Sequence, residues 1–527
     1  MLPDHITVFA ESFSFDATGS QIASFSNRDI KCTCTAQNDG ITISCTADST
    51  PVRFLRARWL RKAPAGAVYC GDSWERLYGD AQWRTIDPAR RMPWFFMEKS
   101  DNKLSCFGVR VRPNAFALWN VDPEGITLFL DLRCGTQGVV LRNRTVDAAT
   151  VVMADFENTD TFDGAQRFCR MMCSDPLLPS EPVYGSNNWY YAYGISSHRE
   201  ILADTAILAG MTAGISNRPF MVIDDGWQVC HDPAGMNGGP WHSGNERFPD
   251  MALLAKEMKN AGVRPGIWFR PLWNTDPEIP AEWLLKREGS VYLDPSRKEV
   301  LDLVAKDTAR LTKEWGFELV KHDFTTFDIF GRWGFLMNAF PADGNWRFFD
   351  DSKTSAEIVK ELYRTITNAA GGAYIIGCNT IGHLAAGLIH ISRIGDDTSG
   401  LRWERTRKMG INCLAFRMPQ HRVFFDIDAD CAGITGAIEW KYNRQWSDLL
   451  SRSGTTYFAS VKPGVLDEKE SAELREHFAN ASRQRDFTAI PGDWIATTAP
   501  EHWIINGQNT HYNWYPEAGA EEDFLYF

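Results

Sequence analysis

Hydrophobic and polar residues alternate along the first third of the chain, from about Phe13 to Phe156. Within residues 126–132, positions 126, 128, 130 and 132 are apolar and fall on one face, as in a strand that buries one side. Turn-forming residues at 38–40 and 122–125 separate such runs, and little helical periodicity lies between them. This pattern predicts an N-terminal antiparallel β-sandwich domain over residues 1–178.

The pattern changes after the Pro-rich stretch at 176–182, which is the predicted linker. Helical signals then appear between apolar runs, among them the capping box of Ser197 and Glu200 and an apolar repeat that stops at Gly262. The runs that have the character of buried parallel strands lie around Tyr184 and at 220–223, 265–268, 318–320, 373–376, 388–391, 423–425 and 456–458.

Eight such strands with intervening helices predict a catalytic (β/α)8 TIM barrel over residues 179–484. A doubly wound sheet is the alternative fold. It is less favoured, because no predicted helix is preceded by a GxGxxG motif or a phosphate-binding loop. Beyond the barrel, short Trp-rich runs predict a C-terminal β-strand segment over residues 485–527. The expected fold is therefore a multidomain β plus α/β protein.

Composition narrows the function. The chain has 527 residues, 44% of them hydrophobic, with 55 Lys and Arg against 67 Asp and Glu and a net charge of -12. This charge disfavours nucleic acid as a partner. The 20 Trp residues suit the stacking of sugar faces, although core packing explains most of them.

The first residues lack a basic region and an apolar stretch, so we expect no secretory signal, no membrane anchor and a cytoplasmic location. The 12 Cys residues are scattered without CxxC pairs, which favours reduced, mostly buried thiols. His198, His322 and His390 are isolated, and there is no HxH or HExxH pair. The sequence thus predicts neither a metal nor another cofactor.

Acidic residues follow three of the predicted strands: Asp224 and Asp225, then Asp323, then Asp396 and Asp397. In a barrel these strand ends meet at one mouth. Glycosidic cleavage needs two carboxyl groups there, one to attack or stabilise the anomeric carbon and one to protonate the leaving oxygen.

Lys321 and Asp323 are two residues apart on a strand and point to one side, so the ammonium should keep Asp323 ionised. Arg393 comes four residues before Asp397. Asp396 is an alternative to Asp397 as the acid, and Asp328 has the pattern of a solvated loop charge.

The order of these motifs resembles the α-galactosidases and relatives of glycoside hydrolase families 27 and 36, the melibiase clan. The matching stretches are DDGWQ at 224–228, KHD at 321–323 and RIGDDT at 393–398, with WY at 189–190 and GIW at 266–268. The resemblance covers residues 181–483, and the preceding β-domain suits the family 36 arrangement.

The resemblance implies that Asp323 is the nucleophile and Asp397 the acid/base, while Asp224 and Asp225 hold O4 and O6 of the sugar. The predicted substrate-binding set is completed by Lys321, Arg393, Trp189, Tyr190, Trp268, Cys378 and Asn379. Residues 377–383 depart from the family pattern, which leaves the exact sugar open. Trp74 and Trp83 are candidates for an aromatic at the barrel mouth, with burial in the sandwich core as the alternative.

These motifs predict a retaining, exo-acting α-glycosidase, foremost an α-galactosidase, whose partner is an α-galactoside or a related oligosaccharide. Alternatives within the clan are an α-N-acetylgalactosaminidase and a galactosyl-transferring enzyme. Alternatives from other classes are an inactive carbohydrate-binding scaffold and a metal-dependent barrel lyase or hydrolase that uses Asp224 and Asp225 as ligands. No membrane partner is expected, and a homo-oligomer is left open.

Overall fold

A computed structural model describes residues 2–19, 22–37, 39–232, 235–483 and 489–516. The N-terminal strands are β1 (His5–Ala10), β2 (Ser14–Thr18), β3 (Ser24–Asn27), β4 (Ile30–Gln37), β5 (Gly40–Thr46), β6 (Val52–Leu60), β7 (Val68–Gly71), β8 (Arg84–Thr85), β9 (Met92–Pro93), β10 (Phe95–Ser100), β11 (Lys103–Val109), β12 (Phe116–Asp122), β13 (Gly125–Asp131) and β14 (Thr145–Glu157).

These strands form two antiparallel sheets, in the orders β2-β1-β6-β13-β12-β9 and β3-β4-β5-β14-β11-β10-β7-β8. Aromatic side chains join the two sheets: the ring of Trp119 on β12 lies 5.7 Å from that of Phe96 on β10 and 6.5 Å from that of Phe107 on β11. The predicted antiparallel strands are confirmed, because β5 pairs antiparallel with β14 and β13 with β12. The apolar side chains of β5 and β13 are buried.

The second half of the chain alternates strands and helices. Its strands are β15 (Tyr184–Asn187), β16 (Phe220–Ile223), β17 (Arg264–Phe269), β18 (Leu319–His322), β19 (Tyr374–Gly377), β20 (Ile391–Arg393), β21 (Asp426–Asp428), β22 (Ala432–Ile434) and β23 (Tyr457–Val461). The α-helices of the chain are α1 (Thr161–Met172), α2 (Trp189–Ala192), α3 (His198–Met211), α4 (Met251–Asn260), α5 (Lys298–Ala309), α6 (Thr325–Phe330), α7 (Ser355–Ala370), α8 (Gly382–Ala385), α9 (Trp403–Arg405), α10 (Cys413–Arg417), α11 (Trp440–Ser453) and α12 (Glu468–Ala481).

The strands β15 to β23 form one parallel sheet in the order β21-β20-β19-β18-β17-β16-β15-β23-β22. The sheet curls, because a parallel bridge between Asp428 at the end of β21 and Thr456 just before β23 links its two sides. In this bridge the amide of Thr456 donates to the carbonyl of Ile427 at 3.1 Å. The carboxyl ends of the strands therefore face a common centre.

Local sequence signals predict the start of α3 and the end of α4. Ser197 is the N-cap of α3, where its hydroxyl accepts a hydrogen bond from the amide of Glu200 at 3.4 Å. The helix α4 ends at Asn260, just before Gly262, which has a φ of +79°.

The sixth and seventh parallel strands begin later than the apolar runs predict. The runs at 388–391 and 423–425 lie mostly in buried turns, and the strands start at Ile391 and Asp426. These strands carry polar inward residues such as Arg393 and Asp428, so their hydrophobic signal is weak. The turns that precede these two strands are more apolar than the strands themselves, and for that reason the sequence pattern predicts strands at the turns.

The C-terminal part forms a three-stranded antiparallel sheet of β24 (Ile490–Pro491), β25 (His502–Ile505) and β26 (Gln508–His511). Parts of the predicted segment 485–527, residues 485–488 and 517–527, lie outside the described residues.

All 12 Cys residues are free thiols, and only Cys230 is not fully buried. Over the described ranges, none of the helices has the length and apolarity that a membrane crossing requires.

Candidate active site

A cavity of about 730 Å³ opens at the carboxyl ends of the parallel strands. It brings together acidic residues that follow three different strands, together with basic and aromatic side chains from several loops. Its lining comprises Arg76, Tyr78, Asp80, Trp189, Asp224, Asp225, Asn237, Trp268, Lys321, Asp323, Phe324, Trp333, Phe335, Asp396, Asp397, Arg405 and Met409.

Asp224 and Asp225 follow β16 directly, and both are buried at the floor of the cavity. Oδ2 of Asp224 accepts hydrogen bonds from Nδ2 of Asn187 and Nζ of Lys321, each at 2.7 Å. Oδ1 of Asp225 accepts from Nε2 of Gln228 at 2.6 Å. These fixed donors hold both carboxylates in place to accept hydrogen bonds from a ligand.

Asp323 follows β18 and faces the same cavity. Its Oδ1 accepts from the amide of Phe324 at 2.7 Å, and its Oδ2 accepts from Nε1 of Trp268 at 3.3 Å. Burial raises the pKa of Asp323, but the nearby charges of Lys321 and Arg76 outweigh burial and leave the pKa below its usual value. Asp323 is thus held in the ionised form that a nucleophile needs.

Asp397 lies four residues beyond Arg393 and also lines the cavity. Its Oδ1 accepts from Arg393 at 3.1 Å, and 43% of its side chain stays open to the cavity. Burial by the crowded surroundings raises the pKa of Asp397, Arg393 opposes this, and the negative charges of Asp430 and Asp396 add to the rise. The net effect favours the protonated form, as an acid requires.

Asp430, the last residue of the DAD stretch at 428–430, is a further buried carboxylate of the site. It pairs with Arg393 at 2.5 Å and accepts hydrogen bonds from the hydroxyl of Tyr190 and from the amide of Thr398 at 2.7 Å. Arg393 therefore lies between two carboxylates, and its charge is shared between Asp430 and Asp397.

Asp396 points toward two other arginines. Its carboxylate lies 3.3 Å from Arg76 and 3.1 Å from Arg405. Arg405 also donates from Nε to the backbone carbonyl of Asp397 at 2.8 Å. The pair Asp396 and Asp397 is thus anchored by both its side chains and its main chain.

The segment 73–80 from the N-terminal β-domain reaches the cavity. The amide of Leu77 donates to the carbonyl of Ile394 at 2.8 Å, in a parallel bridge that extends beyond β20. The preceding Asp72 is held by Arg417 at 2.7 Å. This docking places Arg76, Tyr78 and Asp80 in the cavity lining.

Aromatic rings form one wall of the cavity. Phe324 has a left-handed backbone (φ +62°), and its ring lies 5.4 Å from that of Trp333. The rings of Tyr78 and Phe335 meet edge to face at 4.9 Å. Such faces offer apolar contact to the carbon surface of a sugar.

The predicted substrate-binding residues divide into two groups. Trp189, Trp268 and Lys321 line the cavity together with Asp224 and Asp225. Four others are buried behind it: Tyr190 and Arg393 contact Asp430, Cys378 accepts from Arg393 at 3.8 Å, and Asn379 bonds to Glu75. Their direct contact with substrate stays a prediction.

The two tryptophans considered for the barrel mouth are both buried and are absent from the lining of this cavity. Trp74 donates from Nε1 to the carbonyl of Asn338 at 3.2 Å, and Trp83 packs edge to face on Trp494. Tyr78, from the same segment as Trp74, is the aromatic residue that lines the cavity. Sequence reasoning singled out this segment but not its cavity-facing residue.

The expectation that Asp328 is a solvated loop charge is wrong. Its side chain is fully buried and accepts from Nε of Arg270 at 3.0 Å. Arg270 donates from Nη1 to Oδ1 of Asn237 at 2.5 Å, and Asn237 donates to Asp225 at 3.2 Å. Asp328 is therefore part of a buried chain of polar contacts that ends on a cavity carboxylate.

Within the described part of the chain, no three His, Cys, Asp or Glu side chains are arranged to hold a metal ion. The lining of the cavity offers carboxyl, ammonium and guanidinium groups together with aromatic rings.

No protein-family model matches the chain. Its fold is similar to an α-galactosidase from Thermus thermophilus solved with p-nitrophenyl α-D-galactopyranoside, at a TM-score of 0.61 and 17% identity, covering 91% of this chain and 99% of that one. A variant of a GH36 α-galactosidase from Geobacillus stearothermophilus solved with raffinose has a TM-score of 0.58 and 13% identity, covering 90% of this chain and 67% of that one. An α-galactosidase from Lactobacillus brevis gives 0.57 and 13%, with 91% and 68% covered. The resemblance to α-galactosidases is thus confirmed at the level of the fold.

Proposed function

We propose that the protein is a retaining, exo-acting α-glycosidase that acts on α-galactosides. One observation carries this proposal: Asp323 and Asp397 line the same cavity, and their pKa values are shifted in opposite directions. Double displacement requires one carboxyl group whose pKa is lowered, to act as the nucleophile, and a second whose pKa is raised, to act as the acid.

In the first step, Asp323 attacks the anomeric carbon while Asp397 gives its proton to the glycosidic oxygen, and the bond to the leaving group breaks. A covalent glycosyl-enzyme forms on Asp323. In the second step, the ionised Asp397 takes a proton from water, which attacks the same carbon and releases the sugar and Asp323. Both residues return to their starting protonation states.

Substrate recognition is assigned by the resemblance to the clan and supported by the positions of the side chains. Asp224 and Asp225 would accept hydrogen bonds from O4 and O6, since both are buried and held by fixed donors. The Trp189 and Trp268 rings would contact the apolar face of the sugar.

The finer architecture belongs to the same proposal. The bridge between Asp428 and Thr456 supports a closed (β/α)8 barrel made of β15 to β21 and β23. The contact between Trp119 and Phe96 supports a β-sandwich before it. We assign the domains to residues 1–178, 179–484 and 485–527.

The test is a panel of nitrophenyl α- and β-glycosides, with galactoside, N-acetylgalactosaminide, arabinopyranoside and glucoside. We expect turnover of the α-galactoside with retention, seen by NMR as initial release of the α-anomer. Asp323→Ala should abolish turnover, and azide should yield a β-galactosyl azide from an activated substrate. The matched control is Asp302→Ala, an exposed residue of α5. Initial release of the β-anomer, or full activity of Asp323→Ala, would contradict the proposal.

A further inference from the structure

A second pocket of about 250 Å³ lies beside the candidate active site. We call it the arginine pocket, because Arg84, Arg90 and Arg91 line it. It shares Tyr78, Asp80 and Phe335 with the large cavity, and these three residues form the boundary between the two. A ligand that leaves the large cavity past Tyr78 therefore reaches three guanidinium groups.

The arginines of this pocket bond to carbonyl oxygens. Arg90 donates to the main-chain carbonyl of Tyr69 at 2.8 Å and to that of Gln82 at 3.3 Å. Arg84 donates to the carbonyl of Asp80 at 3.2 Å, and the side-chain amide of Gln82 lies 2.6 Å from it. Arg91 contacts the carbonyl of Pro88 at 3.5 Å.

Among the residues that the structure describes, none forms an ion pair with these three arginines. This contrasts with the other arginines of the site, since Arg76 and Arg405 both pair with Asp396. Carbonyl oxygens solvate a guanidinium group but carry no charge to balance it.

The nearby carboxylates leave the pocket with an excess of positive charge. Asp72 lines the pocket, but Arg417 at 2.7 Å and Gln420 at 2.9 Å already hold it. Asp80 is exposed at the shared boundary, and its single charge offsets only part of the charge of the three arginines. Asp87 is exposed, and its carboxylate accepts from the amide of Ala89 at 2.8 Å.

Arg90 is half-buried in the arginine pocket. Burial lowers the pKa of Arg90, and the carboxylates of Asp80 and Asp87 only partly oppose this. A half-buried cation without an ion-pair partner is stabilised by any anion that enters beside it.

We propose that the arginine pocket binds an anionic group on the leaving-group sugar, such as a sulfate, phosphate or carboxylate. The inference rests on the proposed glycosidase function and names its substrate class: the galactosyl unit occupies the large cavity, and the charged leaving-group sugar extends past Tyr78. Exposed Asp80 then faces a hydroxyl of that sugar rather than its anionic group.

The first measurement compares α-galactosyl-(1→6)-glucitol with α-galactosyl-(1→6)-gluconate, whose open-chain leaving groups differ only in a hydroxymethyl group against a carboxylate at C1. We expect kcat/KM to be about tenfold higher for the gluconate, the scale of one charge-assisted hydrogen bond. Raising the salt concentration should reduce this preference, because ions screen partly exposed charges.

The second measurement repeats the comparison with Arg84→Gln/Arg91→Gln. Both residues are exposed, so thermal unfolding should show that the fold persists. The preference for the gluconate should fall to about twofold or less. The matched control is Arg199→Gln/Arg475→Gln, which removes two exposed arginines from α3 and α12 and should keep the preference.

A third arm separates a charged leaving group from a free anion. Sodium sulfate is titrated at constant ionic strength with the neutral disaccharide, and we expect no stimulation. Stimulation by sulfate without a preference for the gluconate would overturn the inference. Equal kcat/KM for the two disaccharides, or a preference that survives in Arg84→Gln/Arg91→Gln, would overturn it as well.

Failure of the proposed function gives a different result, namely no turnover of any α-galactoside. Binding is then measured by calorimetry with gluconate and with glucitol. Gluconate binding that the control retains and Arg84→Gln/Arg91→Gln loses would support the pocket. Absence of gluconate binding would overturn it.

Discussion

Nζ of Lys321 donates to Oδ2 of Asp224 at 2.7 Å, and this ion pair joins the ends of two parallel strands across the floor of the cavity. The sequence predicts that Lys321 acts on Asp323, two residues away. Lys321 does lower the pKa of Asp323, but through space rather than by a direct hydrogen bond. One ammonium group therefore serves two carboxylates with different proposed roles.

Lys321→Met should lower kcat/KM by about a hundredfold, because it leaves Asp224 buried without its cation. The same change should raise the pKa of Asp323, since a positive charge that lowers it is lost. The acidic limb of the pH profile of kcat/KM should then move to higher pH. Lys259→Met, which removes a lysine paired with Glu318 away from the cavity, is the control. An unchanged acidic limb would show that Asp323 does not govern it.

Asp397→Ala and Asp323→Ala should differ in their response to the leaving group. A nitrophenyl leaving group needs little protonation, so the first step of Asp397→Ala should survive while the second slows for want of a base. Azide should restore turnover and give the α-glycosyl azide. Asp396→Ala should keep much of the activity. An inactive Asp396→Ala beside a nearly normal Asp397→Ala would move the acid/base role to Asp396.

The basic limb of the pH profile should respond to Asp396. Its negative charge contributes to the raised pKa of Asp397, so Asp396→Asn should lower that pKa. The acid then loses its proton at lower pH, and the basic limb of kcat/KM shifts to lower pH. Asp80→Asn is the control, because Asp80 also lines the cavity but is not among the groups that raise the pKa of Asp397. This variant should leave the basic limb of kcat/KM unchanged. A shift to higher pH would contradict this account.

Galactosides should be preferred over glucosides. The axial O4 and the O6 of galactose are expected to donate to the buried carboxylates of Asp224 and Asp225, and an equatorial O4 would leave one of these carboxylates poorly paired. We expect a loss of about a hundredfold in kcat/KM for the nitrophenyl α-glucoside. Equal turnover of the two substrates would contradict the proposed recognition of O4.

Asp328→Asn should destabilise the protein by about 3–5 kcal/mol, because Arg270 would stay buried without its carboxylate. Burial raises the pKa of Asp328 to about 6, even though Arg270 opposes this. Chemical unfolding gives the free energy directly. Asp302→Asn removes the acid of an exposed pair with Lys298 and should cause no measurable change. Similar stability of the two variants would mean that the buried pair contributes little.

The sequence by itself determined the order of β-rich and α/β parts, most strand positions and the acidic residues at strand ends. These features depend on local periodicity and on what directly follows a strand, which neighbouring residues specify. The helix start at Ser197 is such a case, because its cap is a contact between residues three apart. The sixth and seventh strands were placed too early, because inward polar residues interrupt their apolar pattern.

Only the tertiary structure decided which charges meet. It buries Asp328 against Arg270, adds Asp430 behind Arg393 and brings Arg76 from the N-terminal domain to Asp396. These partners lie up to hundreds of positions apart, and no local pattern links them. Their pairing follows from how whole elements pack, because a buried charge is stable only where packing supplies its counter-charge.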